Sequence, residues 1–170
     1  LIAGGTGLIG QRLSQLLSQE GFRVAVVSRR ENLTAPTPAY GWDLKNMTIN
    51  PEAIEYADAI INLTGAGVAD KRWTAKRKKE IIDSRVLSNQ LLAQAIEKSA
   101  KKPAVFVACS AIGYYGDQGN KIQTENSGVG KDFMAEVCRL WEESVVPIRE
   151  MGIRTPVIRV GVVLSTQGGA

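Results

Sequence analysis

Three glycines at three-residue spacing, in Gly4-Gly5-Thr6-Gly7-Leu8-Ile9-Gly10, carry the clearest chemistry in this chain. A short apolar run precedes them, and leucines recur after them at helical spacing (Leu8, Leu13, Leu16, Leu17). Strand, glycine turn and helix in that order form a site for the pyrophosphate of a dinucleotide. Gly4 permits the tight turn, Gly7 lets backbone approach the phosphates, and Gly10 lets the helix pack on the strand. N–H groups at the helix start then meet negative charge along the helix dipole. The expected contacts are Gly4, Thr6, Gly7, Leu8, Ile9 and Gly10. A glycine loop that only joins strand to helix is the competing reading, and the flanking pattern disfavours it.

The next apolar run ends in Ser28-Arg29-Arg30, about twenty residues on, where an NAD enzyme places an acidic residue for the ribose hydroxyls. An arginine there suits a 2′-phosphate, so Ser28 and Arg29 favour NADP as cofactor. Leu63, Thr64 and Gly65 close a later strand, and small residues at that edge let the cofactor approach. Ser110, Tyr114 and Tyr115 follow a further strand and are the local candidates for catalytic proton transfer or substrate hydrogen bonding. A packed tyrosine pair in a loop accounts for them equally well. Lys71 to Lys79 forms a basic cluster at the start of a long helix, where cations are unfavourable, and reads as a solvated face or an anion site.

The elements that must position these residues alternate. Strands are expected at 1–3, 23–28, 40–43, 57–63, 104–109 and 154–160, with helices after the glycine turn, after Pro51, over 74–99 and over 132–151. Right-handed crossovers give an α/β fold, a doubly wound parallel sheet of Rossmann type in the order 3-2-1-4-5-6. The 170 residues read as one dinucleotide-binding domain, a fragment cut at both ends, because only Leu1-Ile2-Ala3 precedes the turn and the strand-like Val160–Leu164 run stops at Gly168-Gly169-Ala170. The C-terminal lobe that would choose a substrate is expected to be missing.

Composition narrows the function. A net charge of +4 suits anionic ligands without forming a nucleic-acid-binding surface, and no apolar run has membrane-spanning length. Histidine is absent, which removes it as base, nucleophile or metal ligand, and no metal-ligand spacing occurs. Cys109 and Cys138 sit in apolar contexts and read as reduced thiols, pointing to the cytoplasm.

Taken together, the glycine turn, Asn62-Leu63-Thr64-Gly65-Ala66 and Ser110-Ala111-Ile112-Gly113-Tyr114-Tyr115-Gly116 resemble an extended, atypical short-chain dehydrogenase/reductase. More narrowly they resemble its epimerase-like subgroup of NADP-dependent oxidoreductases and nucleotide-sugar epimerases, some labelled cell-division-inhibitor-like. Arg72-Trp73, Ser84-Arg85, Asp132-Phe133, Trp141-Glu142 and Arg159–Leu164 extend the similarity over nearly the whole chain. The resemblance implies NADP at the sites above, with Glu80 and Arg85 as further cofactor residues. It also implies a small-molecule substrate such as a nucleotide sugar, and is compatible with a homodimer. One departure stands out. The family's Tyr-x-x-x-Lys is absent from Lys131–Cys138, and Ala111 falls where its catalytic Ser/Thr belongs. An enzyme that handles protons through Tyr114 or Tyr115, and a non-catalytic NADP(H)-binding regulatory module, are both consistent with this sequence.

Overall fold

Ile2 and Ala3 face opposite sides of a sheet whose two faces are both covered, which is why the chain's central strands are apolar without alternation. The computed structural model describes residues 1–166, so Gly168-Gly169-Ala170 lie outside the described residues. Elements run β1 (Ile2–Ala3), α1 (Leu8–Gln19), β2 (Val26–Ser28), β3 (Ala39–Asp43), β4 (Thr48–Ile49), α2 (Glu52–Tyr56), β5 (Ala59–Asn62), α3 (Ala75–Lys98), β6 (Val105–Ala111), a 3₁₀ turn (Ile112–Tyr115), α4 (Phe133–Glu143), α5 (Val146–Glu150) and β7 (Val157–Val160).

The strands form one sheet in the order β4-β3-β2-β1-β5-β6-β7, parallel except for the β3–β4 hairpin. Without the two-residue β4, this is the expected Rossmann-like order. On one face Ala3, Val27, Ile60 and Phe106 pack with Ile54, Leu92, Ile96 and Ile148 from the helices. On the other, Ile2 and Val26 meet Leu13 and Leu17 of α1.

Several boundaries differ from the sequence reading, and three of them bear on the candidate site residues or the helix that packs on them. The 132–151 helix is two helices. Pro147 in the first turn of α5 has no N–H to continue the ladder of α4. Strand β6 runs two residues further than expected, so Ser110 and Ala111 lie within the sheet and pair with Arg159 and Val160. The strand character of Val160–Leu164 ends at Val160, and Val162 and Leu164 beyond it are exposed.

Candidate functional site

Of the three helices longer than ten residues, α3 and α4 begin with side-chain caps, Thr74 accepting from the Arg77 N–H and Asp132 from that of Ala135. Helix α1 has none. Gly7 occupies its N-cap position without a side chain, and no acidic residue stands in the first turn. Its leading N–H groups therefore need an external acceptor, and an anion at the positive end of the dipole meets that need. The turn that places them is tightly built. Gly4 has φ +79°, and a Cβ there would lie 2.9 Å from the Leu63 carbonyl carbon. At Gly10 a Cβ would lie 2.3 Å from the Gly4 carbonyl oxygen.

In front of this turn a cleft of about 620 Å³ runs along the carboxyl edge of the sheet. It brings together Gly4, Thr6 and Gly7 with Ser28 and Arg29 from the end of β2, and with Leu63, Thr64 and Gly65 after β5. Thr64 Oγ1 is buried without a hydrogen-bond partner among the described residues. An uncapped helix start, an orphaned hydroxyl and a guanidinium in one cleft fit a dinucleotide. Arg29 makes no ion pair among the described residues, and Ser28 Oγ accepts from the Arg30 N–H at 3.2 Å. Glu31, the nearest acid in sequence, is held elsewhere. Hydrogen bonds from the Asn50 side chain and the Gly41 N–H hold its carboxyl below the usual range.

The cleft has a wall that sequence reasoning missed. Trp42, Asp43 and Lys45 line it from the β3–β4 hairpin, and Ser84 lines it from α3. Asp43 builds that wall by accepting from the Lys45 N–H at 2.7 Å and from both the backbone and side chain of Asn46. A cluster of turn residues after Trp42 is the only signal the sequence offered. Leu8 and Ile9 line a separate groove with Val160 and Leu164 and do not line this cleft.

Other expected site residues lie apart. Glu80 is exposed and pairs with Arg77 at 2.7 Å, away from the cleft lining. Arg85 is buried behind Gly65, with Nη1 donating to the Ala66 and Ile81 carbonyls. Ser110 is buried and donates to Glu142 at 2.7 Å. Glu142 in turn holds Arg159 through Nε at 2.8 Å and Nη2 at 2.9 Å. Arg159 Nη1 donates to the Tyr115 hydroxyl at 3.0 Å, and its guanidinium lies 3.5 Å from the Tyr114 ring centroid. Ser110, Tyr114 and Tyr115 therefore gather around one ion pair and not around the glycine turn. The basic cluster is partly structural as well. Arg77 is buried, bound to the Gly67 carbonyl, Asp70 and Glu80, while Lys79 pairs with Asp83 and Lys78 lies over the Phe133 ring.

Both cysteines are free thiols. Burial pushes the Cys109 thiol up to about 11, against a partial lowering by the Arg85 charge. Thiolate is the reactive form, so Cys109 should alkylate about a hundredfold more slowly than a free thiol at pH 8. Its rate with iodoacetamide, followed by mass spectrometry, should rise as pH climbs toward 11. Ordinary free-thiol kinetics at pH 8 would contradict the burial.

This fold and cleft define a Rossmann-type domain of the short-chain dehydrogenase/reductase class. Residues 1–134 match the family model of the NAD dependent epimerase/dehydratase family, and the chain belongs to that family. Over 168 residues it is 33% identical to Epimerase family protein Mb2239 of Mycobacterium bovis, covering 99% of this chain and 54% of that one. The nucleoside-diphosphate sugar epimerase of Corynebacterium glutamicum superposes with a TM-score of 0.82 at 36% identity, over 99% of this chain and 34% of that one. Human epimerase family protein SDR39U1 (isoform 2), solved with NADPH, gives a TM-score of 0.80 at 29% identity, over 99% and 55%. The chain thus spans about half the length of the curated relatives it matches. No helix among the described residues is long and apolar enough to cross a membrane.

Proposed function

We propose that this chain binds NADP(H) in the cleft and forms the cofactor half of an oxidoreductase or nucleotide-sugar epimerase-like enzyme. The carrying observation is the meeting of the uncapped α1 start with Arg29, unpaired among the described residues, in one cleft. The first receives a pyrophosphate. The second takes a 2′-phosphate. The carboxylate that lines the cleft, Asp43, comes from β3 and accepts from the Lys45 and Asn46 N–H groups; it does not stand at the end of β2, where an NAD enzyme places its acid. The NADPH in the human relative supports the same choice. Bound NADP(H) supplies or accepts a hydride. The chain's own residues bind and orient it: Gly4, Gly7 and Gly10 shape the turn, and Thr64 offers its hydroxyl. Glu80 is not needed in this reading. The two free thiols favour a reducing compartment such as the cytoplasm.

Protons are handled by Tyr114 or Tyr115, of which Tyr115 has its oxygen beside the Arg159 guanidinium. One observation favours a non-catalytic regulatory module instead. Ser110 is committed to Glu142, and α4 offers neither tyrosine nor lysine to replace it. Hydride exchange between NADPH and any carbonyl substrate, lost in Tyr115→Phe or Tyr114→Phe, would decide for the enzyme.

Nicotinamide fluorescence titrations with NADPH and NADH test the cofactor. Wild type should prefer NADPH by at least about tenfold, and Arg29→Ala should abolish that preference, the order expected for a charge-assisted contact to phosphate. Equal affinity for both cofactors in wild type would overturn the assignment.

A further inference from the structure

From Asp70 to Glu80 the chain carries six cations and two carboxylates. Both carboxylates are claimed by Arg77, which is buried and also donates to the Gly67 carbonyl. Lys79 is answered by Asp83 at 2.6 Å. Lys71, Arg72 and Lys76 are exposed and have no ion-pair partner among the described residues. The Arg77 hydrogen bond first, and then the charges of Arg77, Lys71 and Lys76, hold the Glu80 carboxyl below its usual range. Lys71 and Lys76 thus converge on one acid that is already taken.

The segment that presents these cations is tied down. Arg77 binds Gly67 and Asp70 to α3, and the Ala66 N–H donates to Ser84 Oγ at 2.9 Å. The Trp73 indole N–H donates to the Val68 carbonyl at 2.7 Å. That bond fixes the ring while leaving Trp73 42% exposed, against 6% for Trp141. Its one donor is spent on backbone, so the indole offers a ligand only its π face. Phe133 stands edge-on beside it, 5.1 Å between centroids, and the Lys78 ammonium lies 4.8 Å from the Phe133 centroid. A fixed aromatic surface is therefore bordered by cations that the protein leaves unpaired.

Its place matters as much as its composition. The loop starts from Gly65 and Ala66, which line the cofactor cleft, and Phe133 opens the helix that follows the Tyr114–Tyr115 turn. Helices that cross back over a parallel sheet start at its carboxyl edge, so this surface shares that edge with the glycine turn and the tyrosines. Side chains make the surface, not the helix start, where Thr74 already accepts from the Arg77 N–H. Ammonium and guanidinium groups complement phosphates, and an exposed indole complements a flat base.

We propose that Lys71, Arg72, Trp73 and Lys76 form a binding site for the nucleoside diphosphate part of a second ligand, with its base stacked on Trp73 and its phosphates held by the three cations. The site stands without the cofactor. Only the step that makes its ligand the molecule on which NADP(H) acts rests on the function proposed above.

UDP is the probe, because its pyrimidine is unlike the adenine of the cofactor. It is titrated into ¹⁵N-labelled, NADPH-saturated protein while the indole N–H resonances are followed, that of Trp73 being identified by its loss in Trp73→Phe. The Trp73 resonance should move and saturate at millimolar UDP or below, and uridine, which lacks the phosphates, should bind about tenfold more weakly or worse. The triple variant Lys71→Gln, Arg72→Gln, Lys76→Gln changes only exposed side chains. It should weaken UDP about tenfold or more and leave NADPH affinity within about twofold. An unmoved Trp73 overturns the proposal, as does undiminished UDP affinity in the triple variant. Movement of the Trp42 resonance alone would put UDP in the cofactor cleft, which Trp42 lines, and would overturn it too. Polyglutamate that moves Trp73 where UDP does not would make the patch a docking surface for an acidic protein and overturn the nucleotide assignment. A protein that fails to bind NADPH yet shifts Trp73 with UDP would sink the cofactor reading and leave this site standing. Silence toward both ligands would overturn both. Because the decisive signal is read on wild type, poor folding of the triple variant does not spoil the test.

Discussion

Gly10→Ala is expected to lose NADPH binding and to destabilise the fold, whereas Gly7→Ala is expected to lose binding alone. At position 10 a Cβ would stand 2.3 Å from the Gly4 carbonyl oxygen and 2.6 Å from the Gly5 Cα. Both obstacles are backbone, so a rotamer change cannot relieve them. The turn has little room to retreat, because even a Cβ on Gly4 would stand 2.9 Å from the Leu63 carbonyl carbon and 3.0 Å from the Thr64 nitrogen. Forcing a methyl into such a contact typically costs about 1–3 kcal/mol, occasionally more. At position 7 the only close atom is the Gly4 carbonyl oxygen at 3.3 Å, and the backbone has φ −79°, which any residue adopts. That methyl is tolerated by the chain but stands at the uncapped helix start where phosphate is to approach. Urea unfolding paired with NADPH titration separates the two effects. Undiminished NADPH affinity in both variants would mean that the glycine turn is a connection and not a phosphate site.

Much of the fold could be read from residue types, because local signals and topology agreed. Glycine turn, β-branched runs and helical leucines gave the strand order once crossovers were taken as right-handed. That Gly7, Arg29 and Thr64 line one cleft was legible to the same degree, since they follow strand ends and strand ends share an edge. What stayed hidden depends on partners distant in sequence. The Trp42–Lys45 wall rests on a two-residue strand with no periodicity to detect. Ser110 looks like a strand-exit hydroxyl, yet in alternation with the buried Phe106 and Ala108 it faces inward to α4. Whether Arg85, Arg77 or Arg159 has a counter-ion was likewise unreadable. Each answer lies with a residue on another element or across a helical turn, and all three look alike as single letters.

The second large effect concerns the ion pair around which those hidden contacts gather. Glu142→Ala is expected to destabilise the protein by about 2–4 kcal/mol, between an exposed pair and a fully buried one. The pair's side chains are 19% and 17% exposed, so water screens it only in part. Removing the carboxylate strands two groups at once. Ser110 Oγ, on a residue 1% exposed, loses its acceptor, and Arg159 loses both oxygens held by Nε and Nη2. Because Glu142 lies on α4 while Arg159 and Ser110 lie on β7 and β6, the loss falls on the packing of that helix against the sheet edge. Arg159→Met alone should cost less than Glu142→Ala, since it strands a partly hydrated carboxylate that keeps its Ser110 bond. The double variant Glu142→Leu with Arg159→Met should recover much of the loss, because apolar replacement of a buried pair is often neutral. Chemical denaturation of wild type, Glu142→Leu, Arg159→Met and their double variant gives the coupling energy directly. Additive effects would show that the pair is incidental to stability. A coupling of about 1–3 kcal/mol would show that it anchors α4, and with it the tyrosines proposed for proton transfer.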